Sequence, residues 1–404
     1  MWRKVVPAVV LLCAFSAIAS PSQAQEKPTA PLKIGVSGPF TGGSSPMGLS
    51  MLNGIRLAVD EINHIGGIKG RKIALIERDD EAKNEVGAKI AQEFVQQKVV
   101  AAIGIVNTGV GLASIDAYQA AKIPLLITVS TGTSLTKKYA PPAAAENYIF
   151  RISLTIDLEA KALVAELKRR GLTNVAVMTD TTAYGEAGLK AFEQHSNVAG
   201  IALLSKERFN IGDQDMSAQV QRAKESAAQA VVVWGIGPEM AIIAKNREQQ
   251  GWKAPLMGSW TFSMRNFIDA AGKAGEGALM PQTFIQDAGS TSKNSFLLAY
   301  QRAFKIQTIP SPMSAAQGYD GMHLLYLAII QADSTEGVKI KEAFENLKRR
   351  YQGAITNYTK PFSSLDHDAI TQNMLLMGKI TAGRVDYAYA DDQRRSILVR
   401  LKNK

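Results

Sequence analysis

Residues 32–67 read LKIGVSGPFTGGSSPMGLSMLNGIRLAVDEINHIGG. Leu32 to Val36 forms a short apolar strand, and Ser37 to Gly48 is a loop rich in glycine, serine and proline. Leu52, Ile55, Val59 and Ile62 then recur on one face of a helix. Gly66 and Gly67 close that helix, where glycine supplies a left-handed cap without steric cost. A strand, a flexible loop and an amphipathic helix in this order open a parallel β-α-β unit.

The same order repeats along the chain. Ile73 to Ile76, Val99 to Ile103 and Pro124 to Thr128 read as strands. Between them, Val86, Ile90, Phe94 and Val95 mark one helix and Ala113 to Ala121 another. After Tyr148 to Ile152 the alternation restarts. The strands are then Val175 to Met178, Ala202 to Leu204 and Ala230 to Trp234. The helices are Leu158 to Leu167, Ala187 to Gln194, Val220 to Ala228 and Met240 to Gln250. An extended run, Ala278 to Ile285, precedes helices near 296–305, 315–332 and 338–348, and short strand-like pieces such as Met374 to Met377 follow Gly353. The fold class expected is α/β, with two doubly wound parallel-sheet lobes. Loops at the carboxyl ends of such strands form a crevice where ligands settle. Alternation alone describes a two-domain enzyme equally well.

Bulk composition fits this picture. The 404 residues exceed what a single core usually serves, and 46% hydrophobic with 20% charged residues is globular composition. The start of the chain reads as a secretory signal. Arg3 and Lys4 precede an apolar stretch, Val5 to Ala19, and Ser22-Gln23-Ala24 offers a small-x-small cleavage site. Residues 1–24 are therefore expected to be removed, giving a periplasmic protein. Cys13, the only cysteine, goes with them, so no disulfide stabilises the mature chain. The net charge of +10 becomes +8 once Arg3 and Lys4 are lost. Its residues are dispersed, and the longest basic runs, 168–170 and 348–350, sit at expected helix ends. Solvated faces account for them better than a nucleic-acid surface.

No constellation of catalytic residues emerges. His64, His195, His323 and His367 lack metal-ligand spacing, and no G-x-S-x-G or phosphate-loop motif is present. Gly235-Ile236-Gly237 begins a dinucleotide-like pattern, but Met240 takes the third glycine position. His367 between Asp366 and Asp368 reads as a solvated turn. The expectation is a non-enzyme without cofactor or metal.

Several segments, taken together in order and spacing, carry a resemblance. They are 34–42 (IGVSGPFTG), Asp60-Glu61-Ile62-Asn63 with Gly66-Gly67-Ile68-Lys69-Gly70, Asp79-Asp80, Tyr184-Gly185, Gly237-Pro238-Glu239-Met240, Tyr319-Asp320-Gly321 and Asp366-His367-Asp368. The chain resembles the leucine/isoleucine/valine-binding family of periplasmic solute-binding proteins over nearly its whole mature length. The resemblance implies the type I periplasmic-binding fold with a three-strand hinge, crossed near 150–155, 279–283 and 350–356. It implies one lobe from 32–150 plus 283–350 and a second from 151–282 plus 351–404. It also implies a monomer that hands a small amino acid or organic acid to the permease and ATPase subunits of an ABC importer. The other function the same fold serves is an extracytoplasmic sensor module working with a membrane partner.

The resemblance also points to ligand-binding loops. Asn107, Thr108 and Gly109 precede a helix and either cap it or hold the ligand carboxylate on its free amides. Ser130, Thr131 and Thr133 either complete that cradle or form a polar turn. Phe40, Ser45 and Met47 offer a wall, and Tyr184, Gly237, Trp260 and Phe262 face them from the second lobe. Amino-acid-binding relatives place an acidic residue where ungapped matching puts Trp260, so the resemblance implies either a carboxylate ligand without an ammonium, or another acid such as Glu239 or Asp180 in that role with Trp260 as core. Arg151 pairs either with a ligand carboxylate or with an acid at the hinge.

Overall fold

The computed structural model describes residues 1, 2, 4, 30–398, 401 and 402. The expected signal segment and Cys13 lie outside the described residues, apart from residues 1, 2 and 4. Five strands form the first sheet: β1 (Leu32–Gly38), β2 (Ile73–Asp79), β3 (Ala101–Gly104), β4 (Leu125–Ile127) and β5 (Ile149–Arg151). They run parallel in the order β2-β1-β3-β4-β5. Every residue of β3, β4 and β5 is buried, because helices cover both faces of a parallel sheet.

The second sheet takes β6 (Asn174–Asp180), β7 (Ala202–Phe209), β8 (Ala230–Trp234), β9 (Leu256–Gly258) and β10 (Leu279–Gln282) in parallel, in the order β10-β9-β8-β6-β7. Its edge strand β7 alternates exposed and half-buried residues, as one-sided cover requires. A small antiparallel ribbon, β11 (Tyr351–Gln352) with β12 (Asn357–Tyr358), leads to β13 (Leu376–Thr381) and β14 (Arg384–Tyr387). These last two add antiparallel strands beyond β10, so the second sheet is mixed rather than wholly parallel.

The chain passes between the two sheets three times. After β5 it runs through the helix Ile156–Arg169 into β6. After β10 it returns in the helices Thr291–Phe304 and Pro312–Ala332, and the latter packs on the helix Ser45–His64 behind the first sheet. That contact is unusually close: a Cβ on Gly54 would meet Ala315 O at 2.1 Å, and one on Gly318 would meet Met51 O at 2.2 Å. The third passage follows the helix Gly337–Glu345 and the β11–β12 ribbon. Asp320, fully buried inside Pro312–Ala332, fastens it. Its carboxyl accepts the amides of Ala354 (2.7 Å) and Ile355 (2.9 Å) and the hydroxyl of Tyr358 (3.1 Å).

Arg151 resolves as a hinge residue. It is 0% exposed; its Nε and Nη2 both donate to Asp368 Oδ1, at 2.9 and 2.7 Å, and its Nη1 donates to Gly132 O at 2.6 Å. The turn reading of 366–368 needs correction at two of its three residues. His367 and Asp368 are buried, with the His367 ring stacked on Phe150 at 3.9 Å between centroids. The basic run 348–350 also departs from expectation: its helix ends at Glu345 and the run lies beyond it. Among the described residues no helix is long and apolar enough to cross a membrane.

Candidate functional site

Strand-end loops of both sheets converge on a small, nearly filled cavity. Val106 and Thr108 follow β3, and Val129 and Thr131 follow β4. Met47, in the first turn of Ser45–His64, completes the first-sheet wall. From the other sheet, Tyr184 comes after β6, Ile236 after β8, and Trp260 and Thr261 after β9. All are loops or first helical turns at carboxyl ends of strands. No side chain that carries a charge lines it.

The polar groups of the cavity belong mostly to the first-sheet wall. Thr108 opens the helix Thr108–Ala120, and Asn107 at the cap position makes no side-chain cap. The first-turn amides of that helix and their partial positive charge therefore remain open to an anion. Thr108 Oγ1 lies 3.3 Å from Ser130 Oγ. Thr131 O accepts the amide of Ile156 at 2.7 Å, which fixes this loop against the first hinge passage. Thr131 Oγ1 itself is buried without a hydrogen-bond partner.

Of the residues expected from sequence, Met47, Thr108, Thr131, Tyr184 and Trp260 line the cavity. The others lie around it. Ser130 stands behind Thr108, its amide donating to Ile105 O. Thr133 accepts the amide of Asp157 at 3.3 Å and so serves the start of Ile156–Arg169. Gly109 backs onto Asn84, where a Cβ would stand 2.5 Å from its Oδ1. Asn107 donates to Ser44 Oγ at 3.2 Å and lines a wider groove of about 920 Å³ that also touches Ile236, Pro238 and Glu239. Ser45 begins its helix outside the cavity. Phe40 is tied by its amide to Asp79 Oδ1 at 2.8 Å. Gly237 sits at the seam, within 3.5 Å of Gly43 O as measured from an ideal Cβ, in a φ of +79° that favours glycine. Phe262 lies in the second sheet's apolar core, stacked on Phe267 at 4.3 Å.

Glu159 was not anticipated. It occupies the first turn of Ile156–Arg169, on the face that also buries Ile156, Ala160, Leu163 and Leu167. Its spacing on an apolar helical face is the signal the sequence carries, and the structure buries it completely. Tyr184 donates its hydroxyl to Glu159 Oε2 at 3.2 Å, and the amide of Trp260 donates to the same oxygen at 3.3 Å. Burial pushes this carboxyl up to about 8, against the smaller opposing pull of Thr131, Trp260 and Tyr184. Burial, then the nearby Glu159, also raises the Tyr184 phenol well above its ordinary range, which keeps it a donor.

Comparison with known proteins places the chain. The family model for periplasmic binding proteins matches residues 31–384. A Leu/Ile/Val-binding protein homologue of Brucella melitensis is 27% identical over 308 residues, covering 76% of this chain and 81% of the relative. A type 1 periplasmic binding protein of Bordetella pertussis superposes with a TM-score of 0.80 at 25% identity, over 88% of this chain and 100% of the other. A solute-binding protein from R. palustris, solved in complex with benzoate, gives a TM-score of 0.78 at 20% identity, over 89% and 95% of the two chains.

Proposed function

This chain belongs to the periplasmic binding protein family, in its leucine/isoleucine/valine-binding branch, and on that premise we propose that it captures a compact carboxylate-bearing solute and delivers it to an ABC importer. Members of the family are solute-binding proteins rather than enzymes. Residues 32–150 with 283–350 form the proposed first lobe, and 151–282 with 351–404 the second. The lobes close on the solute by rotation about the three chain passages, which permit bending and resist twisting.

One observation carries this reading: the strand-end loops of both sheets face each other across a small cavity and the wider groove beside it, with the Thr108 and Thr131 hydroxyls and an uncapped helix start on one wall of the cavity. The solute carboxylate is assigned to that wall, and its apolar body to Met47, Ile236, Tyr184 and Trp260. The Brucella relative is named for branched-chain amino acids and the R. palustris protein holds an aromatic acid, so both solute classes are candidates.

A thermal-shift panel of aliphatic amino acids, aromatic acids, keto acids and amides tests the reading. A carboxylate present at a hundred times its Kd stabilises the fold by about 2.7 kcal/mol. X-ray scattering should show the complex to be more compact than the free protein. Equal response to acids and their neutral amides, or no response to any of them, overturns it.

A further inference from the structure

Trp260 lends its ring to the cavity, and its two backbone groups are held by residues beside two different hinge passages. Its amide donates to Glu159 Oε2 at 3.3 Å, in the first turn of the helix that follows the first passage. Its carbonyl accepts Gln282 Nε2 at 3.0 Å, and Gln282 is the last residue of β10, where the second passage begins. Gln282 is 1% exposed, and the same amide nitrogen also donates to Pro281 O at 2.9 Å. The next residue turns the other way: Thr283 N donates to Met313 Sδ at 3.4 Å, in the first turn of Pro312–Ala332. Adjacent residues of the second passage thus grip the cavity wall of one sheet and the helix behind the other.

Resting on the solute-binding reading above, we propose that Gln282 is a positioning residue: by holding Trp260 O at the start of the second passage, it fixes the indole wall relative to the hinge, so that the solute body resting on that ring governs how far the lobes close. Bending at the passages moves Glu159 and Gln282, and the ring suspended between them moves too. Conversely, a body that meets the ring only in the closed arrangement binds that arrangement better, and a ligand shifts such an equilibrium by just that difference. Hinge rotation about a few residues is how small displacements at a site become displacements of whole lobes.

Satisfying the carbonyl does not by itself require Gln282. Ser263 Oγ already donates to Trp260 O at 2.8 Å and closes the tight turn Trp260–Ser263. The second donor adds a tie from turn to passage, on the second lone pair of the same oxygen. Packing is a weak substitute for it on that side. Gln282 and Ser263 border a second cavity, roomier than the nearly filled one in the cleft, together with Phe284 and Ile309 of the chain returning to the first sheet. With room behind the turn, a hydrogen bond rather than close contact sets where Trp260 stands. Just beyond the turn, Arg265 N donates to Pro310 O at 3.0 Å, a further link from this segment to the returning chain.

Fluorine NMR of protein labelled with 5-fluorotryptophan reads the ring directly. Apart from Trp2, the tryptophans are Trp234, Trp252 and Trp260, and Trp260→Phe assigns the resonance in question. Gln282→Met keeps the length of the side chain and deletes the donor. Gln286→Met is the control: Gln286 borders the same second cavity but bonds Gln307 O and Ile309 N, away from the turn. Without solute, Gln282→Met should shift or broaden the Trp260 resonance and leave Trp234 and Trp252 in place, while Gln286→Met should leave all three. Benzoate, leucine and 4-methyl-2-oxopentanoate are then titrated calorimetrically. Gln282→Met should bind whichever the wild type binds most tightly at least fivefold more weakly, with less compaction in X-ray scattering. In the wild type, which needs no variant to fold, the Trp260 resonance should move with these solutes in the same rank order as the compaction. An unmoved Trp260 resonance in Gln282→Met, a moved one with affinity and compaction unchanged, equal effects in Gln286→Met, or wild-type resonance shifts unrelated to compaction each overturn the role of Gln282 and leave solute binding intact. Failure of the wild type to bind any of the three, or any acid of the wider panel, overturns the solute-binding reading instead, and the solute-free resonance still decides whether Gln282 holds the ring.

Discussion

Arg151 and Asp368 lie 217 positions apart in the chain and meet at the hinge through one carboxylate oxygen, Oδ1, which accepts both Nε (2.9 Å) and Nη2 (2.7 Å) of the guanidinium. A parallel backbone bridge accompanies the ion pair: Arg151 N donates to His367 O and Ala369 N donates to Arg151 O, each at 2.9 Å. The first passage between the sheets is thereby stitched to the tail of the chain. With Arg151 at 0% and Asp368 at 6% exposure, the pair is desolvated. Removing one partner strands a buried charge, which costs about 3–5 kcal/mol, whereas replacing both with apolar groups of similar volume restores much of the loss. Asp368→Ala should lower the unfolding free energy by that amount in urea titration, and Arg151→Met with Asp368→Leu should recover more than half of it.

A second prediction concerns backbone contact between helices. Gly54 in Ser45–His64 presses on Ala315 O in Pro312–Ala332, leaving 2.1 Å for any added Cβ. Backbone does not yield as a flexible side-chain end would, so the two helices must separate. Gly54→Ala should cost about 1–3 kcal/mol despite the higher helix propensity of alanine. Denaturant midpoints measure this, and an unchanged midpoint would mean that the helices slide freely.

The alternation of apolar strands and amphipathic helices was legible because buried parallel strands are short, continuous apolar runs. Thr108 and Thr131 were legible because each follows such a strand, where crevices form, whereas Tyr184 and Trp260 were legible through the family resemblance. The helix Thr108–Ala120 was expected only from Ala113, since Thr-Gly-Val-Gly-Leu at its start mixes glycines with no apolar period. Phe262 was misjudged as a neighbour of Trp260 in purpose. The tight 3₁₀ turn Trp260–Ser263 sends one ring to the cavity and the other to the core. Glu159 lies on a helix rather than in a strand-end loop, and its place among Ile156, Ala160 and Leu163 is visible only in the helical period. His367 between two aspartates looks like a turn until tertiary packing stacks it on Phe150.

Stability should depend on pH through Glu159. The carboxyl lies near 4.5 in an unfolded chain and about 8 in the fold, so the folded protein holds the proton more tightly. Its contribution is then fully present below pH 4.5 and is lost as pH rises through 8. Asp80 and Asp320, each raised to about 6 by burial, act in the same direction over a lower window. The unfolding free energy should decline between pH 5 and 8 by a few kcal/mol. Glu159→Gln should abolish the decline between pH 6 and 8 and make the decline below 6 shallower, leaving there the share of Asp80 and Asp320. Chemical denaturation across this range checks it, and a wild type whose stability rises from pH 6 to 8 contradicts it.

Trp260 provides apolar wall on the second-sheet side and is 3% exposed. Trp260→Leu removes ring area against the solute while keeping an apolar lining. The loss should amount to about 1–3 kcal/mol, or roughly 5- to 150-fold in affinity for the acid that responds most strongly in the thermal-shift panel. Calorimetry at pH 7 reads it directly. Equal affinity for wild type and variant would place the solute body elsewhere.

Thr108 tests the anion wall. Its hydroxyl sits at the open start of Thr108–Ala120, while its Cγ2 packs against Gly132, where an ideal Cβ would be only 2.5 Å away. Valine preserves the branched shape and that packing contact but deletes the donor. A hydrogen bond to a charged group contributes about 1.5–3 kcal/mol, so Thr108→Val should weaken that same acid roughly 10- to 150-fold. The melting temperature without solute should stay within a few degrees, because only the contact with Ser130 Oγ, at 3.3 Å, is lost inside the protein. The neutral amide of that acid, which carries no charge, should be affected far less than the acid itself. Parallel losses for the acid and the amide would mean that Thr108 shapes the cavity without gripping an anion, and the carboxylate would then have to be held from the second-sheet side.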